Sequence, residues 1–167
     1  SWRSKAPLIY RNTPQWFISM EKNNLRKTAL KSIDETVFYP PQGQTRLRSM
    51  IETRPDWCIS RQRVWGVPLP LFVNKKTGQP LRDEKIINRI ADIYEKEGSN
   101  TWFTENPQRF LGEDYSIADY EQVKDVVEVW FDSGSTHAFC LEKRSDLKWP
   151  ASMYLEGSDQ HRGWFHS

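Results

Sequence analysis

Residues Tyr154 to Ser167 read YLEGSDQHRGWFHS. They gather carboxylates at Glu156 and Asp159, imidazoles at His161 and His166, a guanidinium at Arg162 and an amide at Gln160 around Gly157 and Gly163. Groups of these types can hold a divalent ion, move protons or grip a polar small molecule. The spacing of Glu156, Asp159 and His161 matches no standard ligand set, so no dedicated metal site is expected. Ser133, Ser135 and Ser158 stand near His137 or His161 in the sequence. No G-x-S-x-G elbow presents any of them as a nucleophile, and serines in glycine-rich turns are more often turn formers. The G-x-x-x-x-G-K pattern of a phosphate-cradling loop is absent too. Backbone amides at Gly134 or Gly157 can still meet an anion at a helix start. The residues alone therefore support a non-covalent site of acid and glycine loops, suited to a nucleotide or a sugar.

A second condensed stretch, RPDWCISRQRVWGVPLPLF from Arg54 to Phe72, sets Arg61, Gln62 and Arg63 between Trp57 and Trp65. Basic groups interleaved with aromatics suit RNA phosphates and stacked bases. The alternative is that the arginines pair with acids inside a mixed fold while the tryptophans fill its core. Composition alone favours the second reading.

These groups need elements to position them. Gln15 to Met20 reads as a strand by its aromatic and β-branched content, and so does Trp57-Cys58-Ile59. Asn23 can cap a helix through Ser32, and Gln44 to Thr53 presents Leu47, Met50 and Ile51 on one side before Pro55. Lys75 to Gly78 is a hairpin turn. Glu84 to Glu97 is an amphipathic helix striped by Ile86, Ile87, Ile90, Ile93 and Tyr94, with Gly98 as its stop. Val126 to Phe131 and Met153 to Leu155 are β-prone runs, each leading into an acid and glycine loop. In open α/β sheets ligands bind at the carboxyl ends of strands, where such loops gather. The polar stretch Val73 to Lys124 then reads as an insertion between core strands, and the fold class as α/β.

The bulk figures set wide bounds. A chain of 167 residues fits one medium domain or two small lobes. A net charge of +2 neither requires nor forbids a nucleic-acid partner, because clustering decides that. Cys58 and Cys140 form no CxxC pair, which points away from a zinc ribbon or a disulfide scaffold and toward free thiols. No apolar run approaches the roughly 20 residues of a membrane span, so no membrane partner is expected.

VEVWFDSGSTH (Val127 to His137), DWCISRQRVWGVPLP (Asp56 to Pro70) and YLEGSDQHRGWFHS closely resemble blocks of the bacterial-type isoleucyl-tRNA synthetases, a class I aminoacyl-tRNA synthetase family. WRSKAPLIYRNTPQWF (Trp2 to Phe17) resembles the return from that family's editing insertion. The resemblance runs through the whole chain in the family's order and is weakest from Val73 to Lys124. It implies a Rossmann-like catalytic core interrupted by insertions. Residues 1–30 would be the exit of the editing insertion, 31–73 the return into the core with the SRQRVWG block, 74–124 an α+β connective insertion, and 125–167 core strands with the adenylate-site loops. It also implies an internal piece of a longer enzyme, because neither the His-Ile-Gly-His motif nor the Lys-Met-Ser-Lys-Ser motif is present. Such a piece is not expected to aminoacylate by itself; the rival expectation is a stand-alone RNA-binding module.

The chemistry implied by the resemblance has two steps. Isoleucine and ATP, with Mg2+, give isoleucyl-adenylate, and the acyl group then passes to isoleucine tRNA, misactivated valine being edited by the full enzyme. Carried over by position, Glu156, Gly157, Asp159 and Gln160 correspond to aminoacyl-adenylate contacts, and Trp130 and Trp164 to the walls of the isoleucine side-chain pocket. His161 and Arg162 correspond to supporting positions, and Arg61, Gln62 and Arg63 to the path of the tRNA acceptor end. The family further implies a cytoplasmic, monomeric parent enzyme, with any structural zinc lying elsewhere in it.

Overall fold

The computed structural model describes residues 1–2 and 4–167. Arg3, inside the Trp2 to Phe17 motif, lies outside the described residues. The elements run β1 (Phe17–Ile18), α1 (Leu25–Glu35), α2 (Gln42–Glu52), β2 (Trp57–Cys58), β3 (Ser60–Arg61), β4 (Phe72–Asn74), α3 (Glu84–Glu97), α4 (Thr101–Thr104), α5 (Gln108–Leu111), β5 (Tyr120–Gln122), β6 (Val126–Val127) and α6 (Val129–Gly134). Helices and short strands mix, as an α/β reading expects. Among the described residues, however, the three ladders β1–β2, β3–β6 and β4–β5 are all antiparallel.

Among the described residues two apolar cores form. The first packs Phe72, Ile86, Ile90, Phe110 and Leu111 around Trp102, with rings of Phe72 and Phe110 at 5.1 and 4.9 Å from the indole. All of its members fall in the stretch from β4 to α5. Trp102 is fully buried, and its polar edge is satisfied: Nε1 donates to the Val123 carbonyl at 2.8 Å, while its own carbonyl accepts from Gln122 Nε2 at 2.6 Å. Helix α3 supplies Ile86 and Ile90 because its isoleucines recur at helical spacing. Asp83 caps it by accepting from the Lys85 amide at 2.9 Å, and Gly98 ends it at φ 85, a conformation costly for any residue with a Cβ. The second core is smaller. Ile33 of α1 meets Leu47 and Ile51 of α2, with Phe38 and Met50 against them.

Several sequence expectations shift. The Asn23 cap gives way to two left-handed residues, Asn23 and Asn24 at φ 54 and 57, and the helix starts at Leu25. The β-prone run Val126 to Phe131 pairs only at Val126–Val127 and then turns into α6. Glu128 makes the break. Its amide donates to the Ile59 carbonyl at 2.7 Å, its side chain is buried, and its carbonyl accepts from the Phe131 amide at 2.9 Å. Tertiary bonding overrides β-propensity there. Met153 to Leu155 forms no strand either: Met153 and Leu155 are exposed, and Tyr154 spends its ring on Trp164. The stretch after Gly157 forms a single 3-10 turn, Ser158–Arg162.

Two outcomes follow from this packing. Trp102→Ala removes the centre of the first core and should cost about 3–5 kcal/mol of stability, read from urea unfolding. Asp83 accepts from Tyr115 Oη at 2.9 Å, then from the Lys85 amide, and these bonds hold its carboxyl below the usual range. A depressed folded pKa stabilises above the unfolded pKa, and that gain is lost as pH falls through the folded one. Asp83→Asn should therefore melt below the parent at pH 7, and the gap should close below about pH 4.

Candidate functional site

The acid and glycine loop at the C-terminal end is built on aromatic stacking. Tyr154 lies flat on Trp164, with ring centroids 3.5 Å apart and planes 17° from parallel. Phe165 stands edge-on to Trp164 at 5.3 Å and faces His161 at 6.2 Å. These rings frame the turn Ser158–Arg162, whose Gln160 amide donates to the Gly157 carbonyl at 3.0 Å. Gln160 also reaches across Gly163, its Oε1 accepting from the Trp164 amide at 3.2 Å and its Nε2 donating to Asp159 Oδ2 at 3.2 Å.

Glu156 and Gly157 open onto a hollow of about 470 Å³ shared with Phe38, Tyr39, Arg46 and His161. The far wall thus comes from the turn before α2 and from α2 itself. A Cβ on Gly157 would stand 2.5 Å from Asp159 Oδ1, so glycine lets that carboxylate fold back over the loop. Glu156 also acts on Tyr154: burial first, then the Glu156 charge, pushes the phenol above its ordinary pKa. The Nδ1 of His161 and the Nε1 of Trp164 are buried with no hydrogen-bond partner, leaving an indole donor and an imidazole nitrogen beside the loop.

Trp130, on α6, approaches from the other side. Its Cη2 would lie 3.2 Å from a Cβ on Gly163, so its ring edge rests on the backbone immediately before Trp164. The expected residues therefore fall into two adjoining groups on one segment. Glu156 and Gly157 border the hollow; Trp130 and Trp164 meet at Gly163; Asp159 and Gln160 bridge the two.

The SRQR block separates by geometry. The Arg61 guanidinium turns inward, donating to the Cys58 carbonyl at 3.0 Å and the Ser60 carbonyl at 2.8 Å and lying 4.0 Å from Glu128. Gln62 donates to Asp125 at 3.0 Å and accepts from Gln15 at 3.3 Å. Arg63 is exposed, followed by Val64 and Trp65, both of which are almost fully exposed.

Behind α6 a charged cluster is drawn in. Glu128 is buried and one of its oxygens has no partner. Burial, then the Glu128 charge, raises the Asp132 carboxyl. Arg54 is held below its usual range by burial, with Glu128 opposing that shift. It rests over the Trp57 ring at 4.8 Å and donates to the His166 carbonyl, tying the end of α2 to the C-terminal turn. Burial, then the charge of Arg54, lowers the His166 imidazole. Among the described residues no cluster of three or more His, Cys, Asp or Glu side chains is placed to hold a metal ion.

Sequence reasoning missed Tyr154, Phe38, Tyr39 and Arg46. Tyr154 carried a signal, since it stands two residues before Glu156 and extended chain puts alternate side chains on one side. Phe38 and Arg46 carried none, being more than a hundred residues away.

Comparison with known proteins follows the same segments. A model of the tRNA synthetases class I (I, L, M and V) matches residues 4–167. The chain is 70% identical over all of its length to the isoleucine–tRNA ligase of Pelagibacter ubique (strain HTCC1062), covering 18% of that protein. It is 60% identical to that of Brucella abortus (strain 2308) and 54% identical to that of Zymomonas mobilis subsp. mobilis, again over the whole chain and covering 18% and 19% of those proteins. The chain thus spans less than a fifth of the length of these relatives. With a family match running from residue 4 to residue 167, the chain belongs to the class I tRNA synthetases of the I, L, M and V group.

Proposed function

We propose that the chain is the central part of an isoleucine–tRNA ligase, contributing the amino-acid and adenylate contacts of its activation site. The observation that carries this reading is end-to-end identity of 54–70% to proteins of that name. In the reaction the isoleucine carboxylate attacks the α-phosphate of ATP, forming the acyl–phosphate bond and releasing pyrophosphate. The ribose hydroxyl of the tRNA end then takes the acyl group and AMP leaves. Neither step needs a protein nucleophile; both need positioning and charge placement. Magnesium enters as the companion of ATP, and no step is assigned to residues of this chain through it.

Within this reading Glu156 grips the substrate ammonium or a ribose hydroxyl from the rim of the hollow, and Gly157 lets backbone approach the ligand. Asp159 and Gln160, bonded to each other, present polar edges to amino acid and nucleotide. Trp130 and Trp164 form flat walls for the branched side chain. Flat apolar walls separate substrates differing by one methylene only weakly, which suits a parent enzyme that also edits valine. Residues 1–30, 31–73, 74–124 and 125–167 are assigned to the editing exit, the return into a Rossmann-like core, the connective insertion and the adenylate-site segment. The first core, which apart from Phe72 falls within residues 74–124, supports the insertion. Isoleucine tRNA is met through Arg63, with Arg61 and Gln62 bracing the turn that presents it. The parent is read as cytoplasmic and monomeric.

Both contacts are testable with this segment placed in the full-length Pelagibacter ubique relative. Glu156→Ala should lower isoleucine-dependent ATP–pyrophosphate exchange by roughly 10- to 100-fold, the value of a lost charged hydrogen bond; unaltered exchange would overturn the assignment. Arg63→Ala should weaken tRNA binding and make its salt dependence shallower by about one unit. Arg61→Ala should instead lower the melting temperature, because its guanidinium serves the protein's own carbonyls.

A further inference from the structure

We propose that Gly163 is a specificity-determining residue, setting the gap between the two indoles of the side-chain pocket. This deepens the activation-site reading and rests on it. Gly163 is buried between Trp130, Gln160 and Trp164. Its φ of −174 is extended backbone that any residue adopts, so conformational freedom does not call for glycine here. Space does. An added Cβ would stand 3.2 Å from Trp130 Cη2 and well inside contact distance of Gln160 Oε1, the atom that accepts from the Trp164 amide.

The two neighbours respond differently. Gln160 ends in a flexible amide and can swing away, but only by giving up its bond to the Trp164 amide. Trp130 is a rigid ring on α6, whose next residue, Phe131, packs against Trp57 at 6.1 Å. Trp164 is pinned on its other side by Tyr154 and Phe165. An alanine therefore displaces the Trp130 ring by a few tenths of an ångström while the opposite wall stays. A pocket that must weigh one methylene is sensitive to displacements on that scale. Such discrimination is worth roughly 10- to 200-fold, a range to which isoleucine against valine in this family itself belongs.

The clashing atom, Cη2, sits on the outer corner of the indole, where a phenyl ring does not reach. Trp130→Phe should thus absorb the methyl of Gly163→Ala, giving a double-mutant cycle with a defined sign. The test uses the full-length relative carrying this segment, with ATP–pyrophosphate exchange for isoleucine and valine measured in parallel with thermal melting. The expected result is that Gly163→Ala lowers the isoleucine-over-valine ratio of kcat/KM by about fivefold or more and has little further effect on the ratio in the Trp130→Phe background. If Gly163→Ala is insoluble, the double variant should recover soluble protein. An unchanged ratio, an equal loss for both amino acids, or a double variant no better than the single one would overturn the proposal. Failure of Gly163 alone, with Glu156→Ala still inactivating, leaves the activation-site reading standing; loss of neither activity nor ratio in both variants removes that reading as well.

Discussion

The structure hangs on a three-residue clasp. Val126, Val127 and Glu128 run between two segments of the chain that lie far earlier in the sequence. On one side Val127 pairs with Ser60 and Val126 with Arg61, and the Glu128 amide bonds the Ile59 carbonyl. On the other side Val127 donates to the Val67 carbonyl at 2.7 Å, and Leu69 donates to the Asp125 carbonyl at 2.9 Å. Val126 is buried in the middle, and its side chain stands 2.9 Å from where a Cβ on Gly66 would be, so only glycine at φ +146 lets the two backbones close. The backbone bonds to these two segments are long-range, and their entropic cost is offset by burying an apolar side chain on a ladder with partners on both sides.

The clasp explains how the chain carries a separate core without disturbing its site. The stretch from β4 to β5 leaves and returns at one point, where the Val123 amide bonds the Leu71 carbonyl at 2.9 Å. Its hydrophobic contacts close around Trp102 within its own span. On the far side of the clasp the chain turns at Glu128 into α6, which fixes Trp130 over Gly163. Arg54, drawn in by Trp57 and the His166 carbonyl, secures the same turn from α2. The candidate site is therefore positioned by three chain regions distant in sequence, and its polar groups gain their geometry from aromatic packing rather than from a regular sheet.

What could be read from the sequence tracks what is local. Helix α3 was legible to its end residues, because an isoleucine stripe and a Gly98 stop act within a few residues of one another. The grouping of Glu156, Asp159 and Gln160 around Gly157 was legible too, since all four stand in one short loop. The run from Val126 to Phe131 was misread as one strand because nothing local announces that Glu128 is buried and bonded across to Ile59. Met153 to Leu155 has the residues of a strand and no partner, and pairing is not a property of one segment. Arg61 and Arg63 look alike in sequence; only the fold gives one to the protein's own carbonyls and leaves the other in solvent. The Phe38 and Arg46 wall of the hollow was invisible for the same reason.

On the proposed reading the C-terminal turn and α6 jointly hold an activated branched amino acid. Its most direct test is NMR of the full-length Pelagibacter ubique relative carrying this segment, with indole-labelled tryptophan and a non-hydrolysable isoleucyl-adenylate analogue. The Nε1 resonances of Trp130 and Trp164 should shift on binding while that of Trp102, sealed in the separate core, does not. Saturating analogue that leaves both Trp130 and Trp164 unmoved would contradict it.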